Sequence, residues 1–189
     1  MLRSLVALSL VLSTPAVPQT VGQPPIPLIV CRVTDGWVMG SAFRVGPSYL
    51  ITAAHVISSG QCSIDGQPVK VLYRSSDFAI LEDKRAGKII PVDCGGFQKD
   101  HEYVAVGHAR GLEKLTYIPL TGTGEHYGNV PSQSVLASIV TVQPGQSGGP
   151  IIDPDTMRVV GEVNTGDWER GLSGSIALKD TPICGGNIV

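Results

Sequence analysis

Short apolar runs, separated by turns bearing glycine or proline, follow one another along most of the chain. Leu28–Val33 and Trp37–Val45 flank a turn at Thr34-Asp35-Gly36, and Ser48–Thr52 follows Gly46-Pro47. Further runs occupy Pro68–Tyr73, Phe78–Leu81, Ile89–Val92, Tyr103–Gly107 and Lys114–Leu120. The series closes with Val135–Val142, Pro150–Asp153, Val159–Asn164 and Ser173–Leu178. No long stretch repeats its apolar residues with a helical period, and Ala53–Ile57 suits a single helical turn. Strands this dense, broken by Gly/Pro turns, predict an all-β sandwich or barrel.

Composition narrows the picture. The 189 residues suffice for one sizeable domain or two small halves, and 42% hydrophobic content permits a real core. The net charge of −2 is spread without a Lys/Arg cluster, which argues against a nucleic-acid surface. Residues 1–16 read as a secretory signal peptide: Arg3, the apolar run Leu5–Leu12, then small Thr14-Pro15-Ala16. That run is short for a bilayer span, and no later segment is long and apolar enough for one. Residues 17–27 form a Pro-rich leader and 28–189 the folded domain, so a secreted or periplasmic location is expected. Export places Cys31, Cys62, Cys94 and Cys184 in an oxidising compartment. Cys31–Cys62 and Cys94–Cys184 are the expected disulfides, because each closes a loop within one half or ties the tail down. No cysteine spacing suits zinc, and neither a metal nor a cofactor is expected.

The chemistry concentrates in Pro144-Gly145-Gln146-Ser147-Gly148-Gly149-Pro150. Glycines on both sides let the backbone adopt conformations closed to other residues and approach a ligand. With Ser147 as nucleophile, the Gly145 and Ser147 amides can converge on a developing oxyanion. Gly145-x-Ser147-x-Gly149 also fits a nucleophile elbow, in which a histidine follows the serine along the chain. Here His55, His101, His108 and His126 all precede Ser147, so that reading fails. Leu50-Ile51-Thr52-Ala53-Ala54-His55-Val56 sets an imidazole just past an apolar strand, where it can take the serine proton. Ser75-Ser76-Asp77-Phe78-Ala79-Ile80-Leu81 sets a carboxylate at the mouth of another, where a buried charge needs a partner such as a histidine N–H.

In the order His55, Asp77, Ser147, with Gly40-Ser41-Ala42-Phe43 ahead of them, these pieces resemble a trypsin-like (chymotrypsin-fold) serine peptidase of the compact bacterial type. The resemblance spans about Leu28 to the C-terminus. It implies two six-stranded antiparallel β-barrels, about 28–95 and 96–189, with the active site in the cleft between them. It also implies that Val160–Gly166, with Val163, Asn164 and Thr165, pairs with an extended substrate, and that Thr141, Val142 and Gln143 wall the primary pocket. No aspartate lies in that wall, so a small or apolar side chain is expected before the scissile bond. Gln146 stands where digestive members carry an aspartate, and no activation site precedes the first strand, so zymogen activation of the trypsinogen kind is not expected. With the sequence ending at Val189, the peptide-binding domain that follows the protease in HtrA-type relatives is not expected.

The expected function is thus an exported, monomeric serine endopeptidase with protein or peptide as its only partner. The alternatives are a catalytically silent binding module and an esterase using the same triad. His101 and His108, seven positions apart across a strand, are expected on opposite faces and not as a metal pair. Asp153-Pro154-Asp155 reads as a turn.

Overall fold

A computed structural model of the chain describes residues 26–33, 36–57, 61–64, 66–126, 133–138, 140–167 and 169–186. The expected signal peptide and all but the end of the expected leader lie outside these residues. The most apolar strands show why their runs are unbroken. In β4 (Tyr49–Ala53) and β8 (Phe78–Glu82), paired antiparallel, successive side chains enter two different cores. Leu50, Ala79 and Leu81 pack within the N-terminal half, while Ile51, Phe78 and Ile80 pack with Val106, Val159 and Leu178 of the C-terminal half. A strand covered on both faces reads as a continuous hydrophobic run rather than an alternating one.

The N-terminal half consists of two four-stranded sheets. One has the order β2 (Gly36–Ser41), β1 (Leu28–Val33), β5 (Gln61–Ile64), β6 (Gln67–Pro68). The other runs β3 (Phe43–Arg44), β4, β8, β7 (Lys70–Arg74). Ala42 alone separates β2 from β3, and Val69 alone separates β6 from β7, so two chain segments pass from one sheet into the other.

The C-terminal half closes a six-stranded antiparallel barrel: β10 (Thr116–His126), β11 (Gln133–Ala137), β14 (Leu172–Ala177), β13 (Arg158–Asp167), β12 (Pro150–Asp153), β9 (Glu102–Gly107). Its interior holds Tyr103, Ile118, Leu120, Leu136, Ile151, Val160 and Val163. The all-β expectation holds, and one closed barrel is seen; two sheets take the place of the other.

Three strand expectations need correction. Ile89–Val92 forms no strand: Pro91 has no amide to give a ladder, and Val92 contributes only an isolated bridge to Val159. Strand β5 escaped notice because only Ile64 in it is buried, so it lacks an apolar signature. The run expected over Val135–Val142 ends at Ala137, where Ser138 Oγ binds the carbonyls of Pro119 and Val140 and turns the chain out of the ladder.

Cys94–Cys184 is a disulfide, as expected, and fastens the short helix α1 (Pro182–Gly185) to the segment between the halves. Cys62 is also disulfide-bonded and stands opposite Cys31 in the β1–β5 register; the Cys31 side chain lies outside the description. Among the described residues no helix is long and apolar enough to cross a membrane.

Candidate active site

The register of β4 and β8 sets the first part of the site. Ala53 lies opposite Phe78, so the residues beyond one strand end meet those before the other. The Ala54 amide donates to the Asp77 carbonyl at 3.1 Å, tying the turn that carries His55 to the residue expected to orient it. On the 3-10 turn Ala54–Ile57, Ala54, Val56 and Ile57 are buried while His55 is exposed. Enough protein nevertheless surrounds the imidazole that desolvation lowers its pKa below the usual 6.5, with the Asp77 charge opposing the shift. Asp77 itself is fixed by a serine turn: Ser75 Oγ accepts from the amides of Asp77 and Phe78, and Ser76 Oγ donates to Asp77 Oδ2 at 2.9 Å.

The loop of Ser147, the expected nucleophile, is held from both halves. Its glycines take positive φ, +91° at Gly145 and +80° at Gly148. At Gly148 a side chain has no room, because a Cβ would stand 2.7 Å from the Ala53 amide and closer still to Thr52 Oγ1 and the Ser41 carbonyl. The Ser41 amide donates to the Ser147 carbonyl, and Ser41 Oγ donates to the Gly145 carbonyl, each at 2.8 Å. On the other side, Gly148 donates to Val163 at 2.7 Å and Val163 to Gly149 at 2.9 Å. Within the loop, buried Gln146 accepts the Gln143 amide on its Oε1. Among the described residues neither the Gly145 nor the Ser147 amide donates a hydrogen bond, so both are available to an incoming acceptor.

Asn164 joins the two parts, a role that sequence reasoning missed. The β13–β14 register slips between Val163 and Thr165, so Asn164 is the extra residue of a bulge. Its amide Nδ2 donates to the Asp77 carbonyl at 2.8 Å, and its carbonyl accepts Ser147 Oγ at 3.4 Å. The only signal in the sequence was an asparagine interrupting an apolar strand. The structure thus places Asp77 and Ser147 on either side of Asn164 and His55 beside Asp77. Ser147 Oγ is directed at Asn164, and among the described hydrogen bonds none joins it to His55.

The other expected residues fall as follows. Val142 and Val163 lie in the barrel core, and both backbone groups of Val163 are engaged by the nucleophile loop. Thr141, Gln143 and Thr165 are half-buried; Gln143 Nε2 donates to the Thr141 carbonyl at 3.2 Å. A cavity of about 560 Å³ lies away from these residues, at Ile26, Arg44, Asp83, Lys88 and His108. His101, Asp153 and Asp155 bring three potential ligand atoms within 4.8 Å. Asp153 Oδ1 there already accepts the Asp155 and Thr156 amides and faces His101 Nε2 at 3.4 Å, within the turn that the sequence implied.

This fold, with a serine loop set against a His- and Asp-bearing pair of strands, is that of the trypsin-like serine proteases. Residues 40–161 match the trypsin-like peptidase domain, and the chain belongs to that family. No curated protein sequence matches it. Among solved structures it is similar to the HtrA-type protease AlgW with tripeptide, at TM-score 0.66 and 18% identity over 82% of this chain and 56% of that one. It is also similar to the Rv3671c protease from M. tuberculosis in its active form, at TM-score 0.65 and 20% identity over 82% of this chain and 75% of that one. The serine endoprotease from Yersinia pestis gives TM-score 0.65 and 18% identity over 80% and 58%. The chain therefore spans little more than half the length of the HtrA-type structure.

Proposed function

We propose that the protein is an exported serine endopeptidase, working in the cleft between the N-terminal sheets, read as a first barrel of bent strands, and the C-terminal barrel. Ser147 attacks the peptide carbonyl, His55 takes its proton and returns it to the leaving amine, and Asp77 orients the imidazole. The amides of Gly145 and Ser147 receive the oxyanion. Residues after Asn164 on β13 pair with the substrate backbone, because Val163 is already engaged.

The observation that carries this reading is the convergence on Asn164, which binds the Asp77 backbone and the Ser147 hydroxyl from one bulge. Ser147 Oγ must rotate from the Asn164 carbonyl to the imidazole for turnover, and hydrogen bonds of this kind tighten when substrate is bound. That same orientation favours a second reading, a protease-like binding module without turnover. A fluorophosphonate probe with a casein-type substrate separates the two. Labelling at Ser147 with hydrolysis supports the peptidase; a folded, unlabelled and inactive protein supports the binding module.

A further inference from the structure

Glu162 is fully buried in β13, and neither carboxyl oxygen meets a close, well-aligned hydrogen-bond partner among the described residues. A carboxylate so placed would forfeit its hydration with little in return. Its neighbours on the strand fix where it points. Val163 enters the barrel core, so Glu162 takes the opposite face, toward the N-terminal half and Asp77. Across the ladder it meets Pro150 and Ile176, which carry no charge. On the elements packed against this face the titratable groups are Tyr49 of β4, Asp153 of β12, and Lys179 and Asp180 of the turn after β14. Asp77 is the charge that acts on Glu162, and the Asn164 side chain is the polar group that eases it.

We infer that Glu162 is a positioning residue of the proposed site: an uncharged acid that steadies Asn164 and leaves Asp77 as the single carboxylate serving His55. The inference rests on the peptidase reading for its consequence in turnover, but not for the protonation state. Desolvation first, and then repulsion from Asp77, push the Glu162 pKa well above the usual carboxylate value. A neutral acid can offer its one O–H to the Asn164 side-chain oxygen while Asn164 Nδ2 continues to hold the Asp77 carbonyl. A second anion there would compete with Asp77 for that role and for the imidazole.

Glu162→Gln keeps the shape and the neutral donor, and Glu162→Met keeps the volume without either. If the acid stays protonated in the native state and ionises on unfolding, the wild-type folding constant falls relative to Glu162→Gln. The fall is about tenfold per pH unit between about pH 5 and 7. Urea titrations of both proteins across that range read the slope; a flat ratio means that the group is ionised in the native state and overturns the inference. In turnover, Glu162→Met is expected to lower kcat about tenfold with KM within about twofold, and Glu162→Gln to restore kcat. Wild-type kcat in folded Glu162→Met overturns the positioning role. Fluorophosphonate labelling of wild-type Ser147 reads the underlying function separately. Its absence sinks the peptidase reading, while a sloping ratio would still uphold the neutral acid.

Discussion

Gly148→Ala tests how tightly the nucleophile loop is clamped between the two halves. The residue has φ +80°, where a Cβ costs about 1–2 kcal/mol. The new atom would also stand 2.7 Å from the Ala53 amide nitrogen and closer to Thr52 Oγ1 and the Ser41 carbonyl, two of these three being backbone. Backbone cannot swing aside, so the loop must retreat and give up Gly148→Val163 and Val163→Gly149, about 1 kcal/mol each. The expected loss is about 3–4 kcal/mol, or roughly 6–16 °C in Tm for a chain of this size. Gly66→Ala is the matched control: φ is +73°, but nothing lies within 4 Å of its Cβ. Only the dihedral cost of about 1–2 kcal/mol applies there. Urea unfolding of both variants, with hydrolysis measured on the folded fraction, reads the difference. Equal destabilisation of the two, or full turnover in Gly148→Ala, would refute the reasoning.

Further outcomes follow from the same geometry. Ser147→Ala is expected to unfold with the wild-type transition while abolishing fluorophosphonate labelling and nearly all casein turnover. Because burial lowers the His55 pKa, the imidazole stays neutral to a lower pH than an ordinary histidine. The acid limb of kcat/KM should therefore have its midpoint below 6.5, and Asp77→Asn, by removing the charge that opposes the shift, should move it lower still. Replacing Cys94 and Cys184 by serine releases a cross-link spanning 90 residues; the chain-entropy relation gives a loss of roughly 4–5 kcal/mol, read by urea titration. Asn164→Ala removes one of the two hydrogen bonds to the Asp77 carbonyl, which keeps the Ala54 amide, and should cost about 0.5–1.5 kcal/mol and lower kcat more than it raises KM.

The sequence made some of this legible and hid the rest, for physical reasons. Strands covered on both faces, such as Leu50–Ala53 and Phe78–Leu81, announce themselves as apolar runs, and the residues flanking them, His55 and Asp77, could be placed with them. Glycines at 145 and 148 could be read because positive φ and close approach leave no other residue. Strand β5 was invisible: Gln61, Cys62 and Ser63 are at most half-buried, and pairing with β1 rather than burial makes them a strand. The bulge at Asn164 was nearly as hidden, since a one-residue register slip belongs to two strands and left only an asparagine within an apolar run. Glu162 carries no sign in the sequence of which face of its strand it takes. Alternation against Val163 turns it to the other face, and only the packed halves reveal that it is buried.

The position of Ser41 says how the site is assembled. It is fully buried at the end of β2, and its three polar groups are all spoken for. Its amide holds the Ser147 carbonyl, its carbonyl accepts Thr52 Oγ1, and its hydroxyl donates to the Gly145 carbonyl while accepting the His108 amide. One residue of the N-terminal half thereby sets the carbonyls on both sides of Gln146, and with them the direction of the neighbouring peptide groups. Asn164 does the converse, reaching from the C-terminal barrel to the Asp77 backbone. Each half thus helps to set the other's contribution: Ser41 fixes the peptide groups beside the amides expected to receive the oxyanion, and Asn164 adds a second hydrogen bond to the Asp77 carbonyl that Ala54 already holds. Docking of the halves and formation of the site are then one event, and a variant that loosens the interface should lose turnover before it loses the fold of either half.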